Sequence, residues 1–370
     1  MVLGYYVYHS VTLLIKLDCT NQKYSENSKI HSREQFMIIN TKSYPRAALI
    51  GNPSDGYYGK TIAFIFKNFS ADVVLYQTPE LEIFPAELDS TVFDSIHQLA
   101  RDVRLNGYYG GFRLLKAAIK RFYEYCEGKK IELDDRNFTI RYSSNIPIRL
   151  GLAGSSAIIT ACMRALMNFY GVQVPKPLLA NLILSVETEE LNIGAGLQDR
   201  VAQVYEHPVF MNFDRKIMDK QGYGEYVTLE VNKIPNLYIA YRTDLSEGSE
   251  VVHNNFRERF NYNEPEVLEA INEWSNLTTR VKEELEKGNS RNIGHLLDRN
   301  FDVRREVMNL SEKNIHMVEL ARSAGASAKF TGSGGAIIGT YKDEEMFQKL
   351  KRTFDNEKIE ILKPDIVRQN

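Results

Sequence analysis

Asn145-Ile-Pro-Ile-Arg-Leu-Gly-Leu-Ala-Gly-Ser-Ser-Ala157 is the stretch on which the fold turns. A proline-bounded extended approach runs into Gly151, Gly154 and two serines, and the apolar run Ile158 to Tyr170 follows at once and closes at Gly171. The first-turn N–H groups of a helix have no intrahelical partners and carry the positive end of its dipole, so phosphate oxygens can occupy them. Glycines at 151 and 154 keep a Cβ out of a ligand's way, while Ser155 and Ser156 add hydroxyls that can cap the helix or reach a metal. No lysine follows the glycines, which excludes a P-loop, and Gly-x-x-Gly is not a dinucleotide fingerprint. A capped core helix with small residues at a crowded start fits the same letters equally well, so other stretches must decide.

The chain has 370 residues, enough for two domains that each bury a core. Hydrophobic residues make up 43% and charged residues 25%, as in a soluble globular protein. A net charge of −2 gives no mark of a nucleic-acid or polybasic membrane binder. Cys19, Cys126 and Cys162 form no CxxC pair, which argues against a disulfide framework or a zinc site and fits a reducing, cytoplasmic setting. No apolar run reaches the length of a membrane span. Residues 1–42 read as a disordered extension without chemistry, with Met37 an alternative start.

Further along, Tyr44 to Ile50 reads as a short buried strand ending in the turn-rich cluster Gly51-Asn-Pro-Ser-Asp-Gly-Tyr-Tyr-Gly59. Thr61 to Phe66 and Ala71 to Tyr76 read as strands, and Phe93 to Leu99 and Leu114 to Phe122 as helical, broken at Gly107-Tyr-Tyr-Gly-Gly111. Phe138 to Tyr142 alternates as a strand. Pro175 and Pro177 open a helix that carries Glu187 near its end, and a glycine turn from Asn192 then leads to Asp199 and Arg200 side by side. In the second half, strands at Tyr226–Val231 and Leu237–Tyr241 precede amphipathic helices over Glu264–Glu286, Ser290–Asn309 and Asn314–Ala324. Ala328 to Gly339 reads as strand, glycine turn and strand.

Three glycine-rich features at wide spacing (Asn52 to Gly59, Gly151 to Ala157, Thr331 to Gly335), joined by the acids Glu187 and Asp199, resemble the GHMP small-molecule kinases. Within that superfamily the chain looks most like the plant-type glucuronokinases. The segments that carry the likeness are Leu49-Ile-Gly-Asn-Pro-Ser-Asp-Gly-Tyr-Tyr-Gly59, Gly107-Tyr-Tyr-Gly-Gly-Phe-Arg-Leu-Leu115, Gly196-Leu-Gln-Asp-Arg-Val-Ala-Gln-Val-Tyr205 and Lys329-Phe-Thr-Gly-Ser-Gly-Gly-Ala336. The likeness runs from about Ser43 to the C-terminus. It implies a two-domain α+β fold: a ribosomal S5 domain 2-like N-terminal domain over 43–210 and a ferredoxin-like C-terminal domain over 211–370.

The resemblance also implies transfer of the γ-phosphoryl group of ATP to the anomeric hydroxyl of D-glucuronate, with Mg²⁺. Pro147, Gly151, Leu152, Ala153, Gly154, Ser155, Ser156 and Ala157 would hold the nucleotide, with Ser156 and Glu187 directed to the metal. Asp199 falls at the catalytic-base position and Arg46 at the basic position before the first strand core. Read without the motif, Asp199 beside Arg200 is an ordinary local ion pair and Arg46 an ordinary surface arginine. Asn52, Asp55, Tyr57 and Lys60 fall on the loop that contacts sugar hydroxyls in relatives, and Gly332, Ser333 and Gly334 would close over the phosphates or the sugar. Arg200, Lys60 and Arg113 are the cations available to the sugar carboxylate, by charge matching. The family spelling Gly-Leu-Gly-Ser-Ser is departed from by an intervening Ala153. Another sugar or sugar-acid 1-kinase of the superfamily, such as a galacturonokinase, and a non-catalytic sugar and nucleotide sensor are the alternatives; a sensor would be expected to lose a catalytic position, and Ser156, Glu187, Asp199 and Arg46 are all present.

Overall fold

The computed structural model describes residues 37–86, 89, 93–99, 110–242 and 256–367. Residues 37–370 form one compact unit. Three four-stranded sheets organise it. The first has the order β1 (Ile38–Ser43), β4 (Ala71–Thr78), β6 (Asn137–Ser144), β5 (Glu82–Phe84), with only β5 parallel to its neighbour. The second is antiparallel, in the order β2 (Arg46–Ile50), β3 (Lys60–Ile65), β7 (Val209–Asn212), β8 (Glu225–Thr228).

β2 and nearly all of β3 are buried, which accounts for their continuous apolar runs rather than an alternating pattern. Against these sheets pack α1 (Gly111–Gly128), α2 (Gly154–Tyr170) and α4 (Leu197–Tyr205), while α3 (Lys176–Ser185) packs on those three helices. α2 is apolar over most of its surface and is correspondingly buried from Ser156 to Met163 and at Ala165, Leu166 and Phe169. α5 (Arg215–Gln221) follows, capped by Asp214.

The third sheet has the order β10 (Lys329–Phe330), β11 (Ala336–Thr340), β9 (Leu237–Tyr241), β12 (Glu360–Leu362), all antiparallel. With helix 256–261 as α6, the chain between β9 and β10 forms α7 (Pro265–Glu286), α8 (Gly294–Val307) and α9 (Glu312–Ser323), and α10 (Glu344–Asp355) lies between β11 and β12. A strand, helices, a hairpin, a helix and a final strand, ordered fourth-first-third-second, make the expected ferredoxin-like plan.

Two of the expected boundaries shift. β1 begins at Ile38, inside the stretch read as a disordered extension, because its six residues pair with β4 from Ile38↔Tyr76 to Ser43↔Ala71. Residues 1–36 lie outside the described residues, as do Gly107, Tyr108 and Tyr109 of the expected helix break. A division at residue 210 would cut through β7 and separate it from β8, which pairs with it. The largest core also runs across that line, joining Phe64, Ile159 and Val201 to Ile239, Trp274 and Leu297. A smaller core under the third sheet gathers Tyr238, Phe301, Phe330 and Phe354. Ile96 and Leu99, part of the spacing read as helical, are exposed.

Candidate active site

Arg46, the first residue of β2, is 4% exposed and reaches three separate parts of the chain. Its Nε donates to Asp199 Oδ1 at 2.7 Å, and its Nη2 lies 2.5 Å from the same oxygen. Its Nη1 donates to the carbonyls of Gly151 at 3.2 Å and Thr331 at 2.5 Å, and its backbone N–H donates to the Leu152 carbonyl. One guanidinium therefore ties the 151–157 loop, the acid on α4 and the 331–335 turn together. Asp199 sits in the first turn of α4, where its charge faces the positive helix end.

The other oxygen of Asp199, Oδ2, accepts from Arg200 Nη1 at 3.1 Å. Arg200 also donates to the Gly196 carbonyl at 2.9 Å and forms an ion pair with Glu187, both of these side chains being almost wholly buried. Burial lowers the Arg200 pKa to about 9, with Arg46 acting in the same direction. The remaining Glu187 oxygen accepts from Ser155 Oγ at 2.7 Å.

Of the two loop serines, Ser155 is the one in contact with Glu187. Ser156 is fully buried and its hydroxyl donates to the Ala153 carbonyl at 3.1 Å, whereas Ser155 is exposed and stands beside Glu187. Two oxygens 2.7 Å apart suit neighbouring positions on an octahedral Mg²⁺, whose ligands at about 2.1 Å lie about 3 Å from one another. The residues present therefore fit the ion at Ser155 and Glu187. Among the described residues no cluster of three His, Cys, Asp or Glu side chains could hold a metal by itself.

The loop before α2 has positive φ at Arg149, Gly151 and Ala153. Sequence reading placed the backbone freedom at Gly151 and Gly154; the second special position is Ala153, with φ +62°, immediately before the helix. A non-glycine residue there stores local strain of the kind found at ligand-binding turns. The loop is held from behind by Gln203 Nε2, which donates to the Ala153 carbonyl at 3.0 Å. In front, a Cβ on Gly151 would stand 2.9 Å from the Ser333 N–H nitrogen, and one on Gly332 would overlap the Gly151 carbonyl. The two glycine turns thus press backbone against backbone, as only glycines allow. Gly334, with φ +153°, lies against Asn314, whose Oδ1 accepts from Gly335 N–H at 2.9 Å.

On the β2–β3 loop, Asp55 lies against Gly196, and burial together with nearby Asp199 pushes its carboxyl up to about 6. Asn52 is 3% exposed and its Nδ2 donates to the carbonyls of Phe330 and Gly332, both at 3.3 Å. Tyr57 packs edge-on against Phe256 and Phe260 of α6, beneath the Arg257 guanidinium. The Lys60 ammonium turns to Thr279 of α7 at 3.3 Å, and Arg113 donates to the Leu191 carbonyl at 3.2 Å. Pro147 lies in the approach to the loop, two residues after Asn145, whose side chain accepts from Ser70 N–H.

Two buried cations escaped the sequence reading. Lys329 donates to the carbonyls of Ala48 and Phe330, and burial holds its pKa well below the usual lysine value. Arg304 of α8 lies over the Phe330 ring and donates to the carbonyls of Gly332 at 2.7 Å and Ser333 at 3.1 Å. Its position carried a signal: it falls three residues after Phe301 and seven after Leu297, on the stripe of α8 that faces inward. Among the described residues, six buried side-chain polar atoms lack a hydrogen-bond partner. Five of them belong here: Asn52 Oδ1, Tyr57 Oη, Gln198 Oε1, Arg200 Nε and Arg304 Nε. Buried polar groups are normally satisfied, so this concentration marks a site built for a polar ligand. A separate apolar cavity of about 410 Å³, lined by Leu81, Tyr123, Leu166 and Tyr170 among others, lies toward the far end of α2 and contains none of these groups.

Comparison with known proteins follows the same outline. The family model described as GHMP kinases N terminal domain matches residues 113–207, and that described as GHMP kinases C terminal matches residues 281–359. The chain is 42% identical to a probable glucuronokinase 2 of Arabidopsis thaliana over 81% of its own length and 84% of that protein's. It is 39% identical to glucuronokinase 1 of the same plant, again over 81% and 84%. Among solved structures it resembles a phosphomevalonate kinase of Streptococcus pneumoniae, with a TM-score of 0.68 at 15% identity over 90% of this chain and all of that one. A Lactococcus lactis galactokinase complexed with galactose gives 0.67 at 15% identity, over 91% and 94%. At those identities the structures speak for the fold, and the plant sequences speak for the family. The chain belongs to the GHMP kinase family.

Proposed function

We propose that this chain is an ATP-dependent sugar-acid kinase that transfers the γ-phosphoryl group to the anomeric hydroxyl of D-glucuronate, giving D-glucuronate 1-phosphate and ADP. The observation that carries the reading is the double contact of Arg46 with Asp199, made within reach of both glycine turns. The names of the plant relatives supply the substrate class.

Asp199 accepts the proton of the anomeric hydroxyl as O1 bonds to the γ-phosphorus. The bond from that phosphorus to the bridging oxygen breaks, and ADP leaves with the electron pair. Arg46 fixes the carboxylate and places positive charge beside the transferring group. The N-terminus of α2 and its loop, from Gly151 to Ala157, receive the triphosphate on N–H groups. Ser155 and Glu187 would hold Mg²⁺, which when bound supplies charge neutralisation on the phosphates. Arg200 orients Glu187 and Asp199 by bonding both. Asn52, Asp55 and Tyr57, with the 332–334 turn, surround the sugar.

The test is ADP release by the purified full chain with Mg-ATP and, separately, D-glucuronate, D-galacturonate, D-galactose and mevalonate. Glucuronate is expected to give the highest kcat/KM. Turnover of another acceptor in its place, or of none, rejects the reading.

A further inference from the structure

We propose that Arg304, together with the buried Tyr57 hydroxyl, receives the carboxylate of the sugar acid. This rests on the sugar-acid reading above and assigns the group that makes the acid, rather than the parent sugar, the preferred acceptor.

A guanidinium buried to 1% exposure ordinarily has a carboxylate against it, because an unpaired buried charge is costly. Among the described residues none lies within ion-pair distance of Arg304. Its protein partners are two backbone carbonyls, those of Gly332 and Ser333. Two of its five N–H groups are used in this way, and Nε–H has no partner at all. The Tyr57 hydroxyl is likewise buried and unpartnered, and it is near enough to Arg304 for each to influence the other's titration. Asn52 meets Arg304 at a shared acceptor, the Gly332 carbonyl, and keeps its own Oδ1 unpartnered for a sugar hydroxyl.

The other cations have different engagements. Arg200 already serves two carboxylates, Glu187 and Asp199, and Arg46 serves Asp199. Lys60 is bonded to Thr279. Among the described residues no carboxylate hydrogen-bonds Arg304; Asp55 acts on it only through space, which leaves its remaining N–H groups to a substrate carboxylate. The planar fork also matches a carboxylate in two bonds, which a lysine cannot do.

The experiment compares D-glucuronate with D-glucuronamide, which replaces the carboxylate by a neutral amide of nearly the same shape. The full chain is used as wild type, Arg304→Lys, Arg304→Gln and Tyr57→Phe, with Arg257→Gln as a nearby exposed control. Kinetics at saturating Mg-ATP are paired with calorimetric binding of each sugar. Arg304→Gln is expected to lower kcat/KM for glucuronate by about 10²-fold, chiefly through KM, and to change that for the amide by less than about threefold. Arg304→Lys is expected to recover part of the loss, and Tyr57→Phe to lose about tenfold on glucuronate alone. Equal losses on both sugars would reduce Arg304 to a brace for the 332–333 turn and overturn the assignment, as would a carboxylate-selective loss in Arg257→Gln. Should Arg304→Gln fail to fold, Arg304→Lys and Tyr57→Phe carry the same comparison. A wild type that neither turns over nor binds glucuronate rejects the proposed function itself, which is distinct from an active wild type with an unselective variant.

Discussion

Arg46 and Asp199, 153 positions apart, are joined by two nitrogens on one oxygen: Nε at 2.7 Å and Nη2 at 2.5 Å from Oδ1. Oδ2 is held separately by Arg200 at 3.1 Å, so the carboxylate is oriented from both sides. A group fixed in that way suits proton acceptance from a hydroxyl delivered in line with the phosphorus. Asp199→Asn keeps the shape and loses the basicity, and it is expected to lower kcat by about 10²- to 10⁴-fold with a much smaller change in KM. Steady-state kinetics at saturating Mg-ATP measure this; a near-wild-type kcat would remove Asp199 from the proton transfer.

The two serines of the loop should separate in their response to magnesium. Ser155 is exposed and bonded to Glu187, while Ser156 is buried and bonded to the Ala153 carbonyl. Ser155→Ala is expected to raise the Mg²⁺ concentration for half-maximal rate by about tenfold or more. Ser156→Ala is expected to leave that concentration near wild type and to cost about 1 kcal/mol of stability through its lost bond. The opposite ranking, measured by titrating Mg²⁺ against rate for both variants, would return the metal to Ser156.

Much of this site could be read from the sequence, because glycines, prolines and acids at a fixed spacing record backbone demands directly. Gly151 and Gly332 were legible in that sense, Asp199 and Arg46 only through the family resemblance, and the structure brings the four together. What escaped was set by three-dimensional neighbours. Ser155 and Ser156 are adjacent in the chain, and only the rotation of α2 decides which one faces Glu187. Arg304 looked like one more charge on an amphipathic helix, although its place on the inward stripe with Leu297 and Phe301 was a visible anomaly. β1 was missed because its residues alternate weakly, Ile38 being largely exposed, and the strand is specified by pairing with β4 more than by its own pattern.

Glu187 has a structural duty as well as its proposed role toward the metal. Its side chain and that of Arg200 are both almost fully buried, so removing the acid strands the guanidinium in a dry setting. Glu187→Gln is expected to cost about 3–5 kcal/mol of stability, more than either serine variant, together with the loss of magnesium-dependent rate. Thermal unfolding and kinetics on the same sample test both arms. An unchanged melting temperature would mean that Arg200 finds another anion.

Asp55 offers a pH test whose sign is fixed by its surroundings. Burial first, and Asp199 second, raise its carboxyl to about 6 in the folded chain, against about 4 when unfolded. The folded state therefore binds this proton more tightly, and stability falls as pH rises from about 4 to about 6, then stays level. Two pKa units correspond to about 3 kcal/mol, and partial exposure of Asp55 reduces the expected penalty to about 2 kcal/mol. Asp55→Asn escapes it. The variant should match wild type near pH 4, gain on it between pH 4 and 6, and melt several degrees higher at pH 7 to 8. At the same time it should bind glucuronate less well if Asp55 accepts from a sugar hydroxyl, as proposed. A difference in melting temperature that does not vary with pH, or an Asp55→Asn chain less stable than wild type at pH 8, would show that Arg46 and Arg200 outweigh burial and Asp199 at this carboxylate.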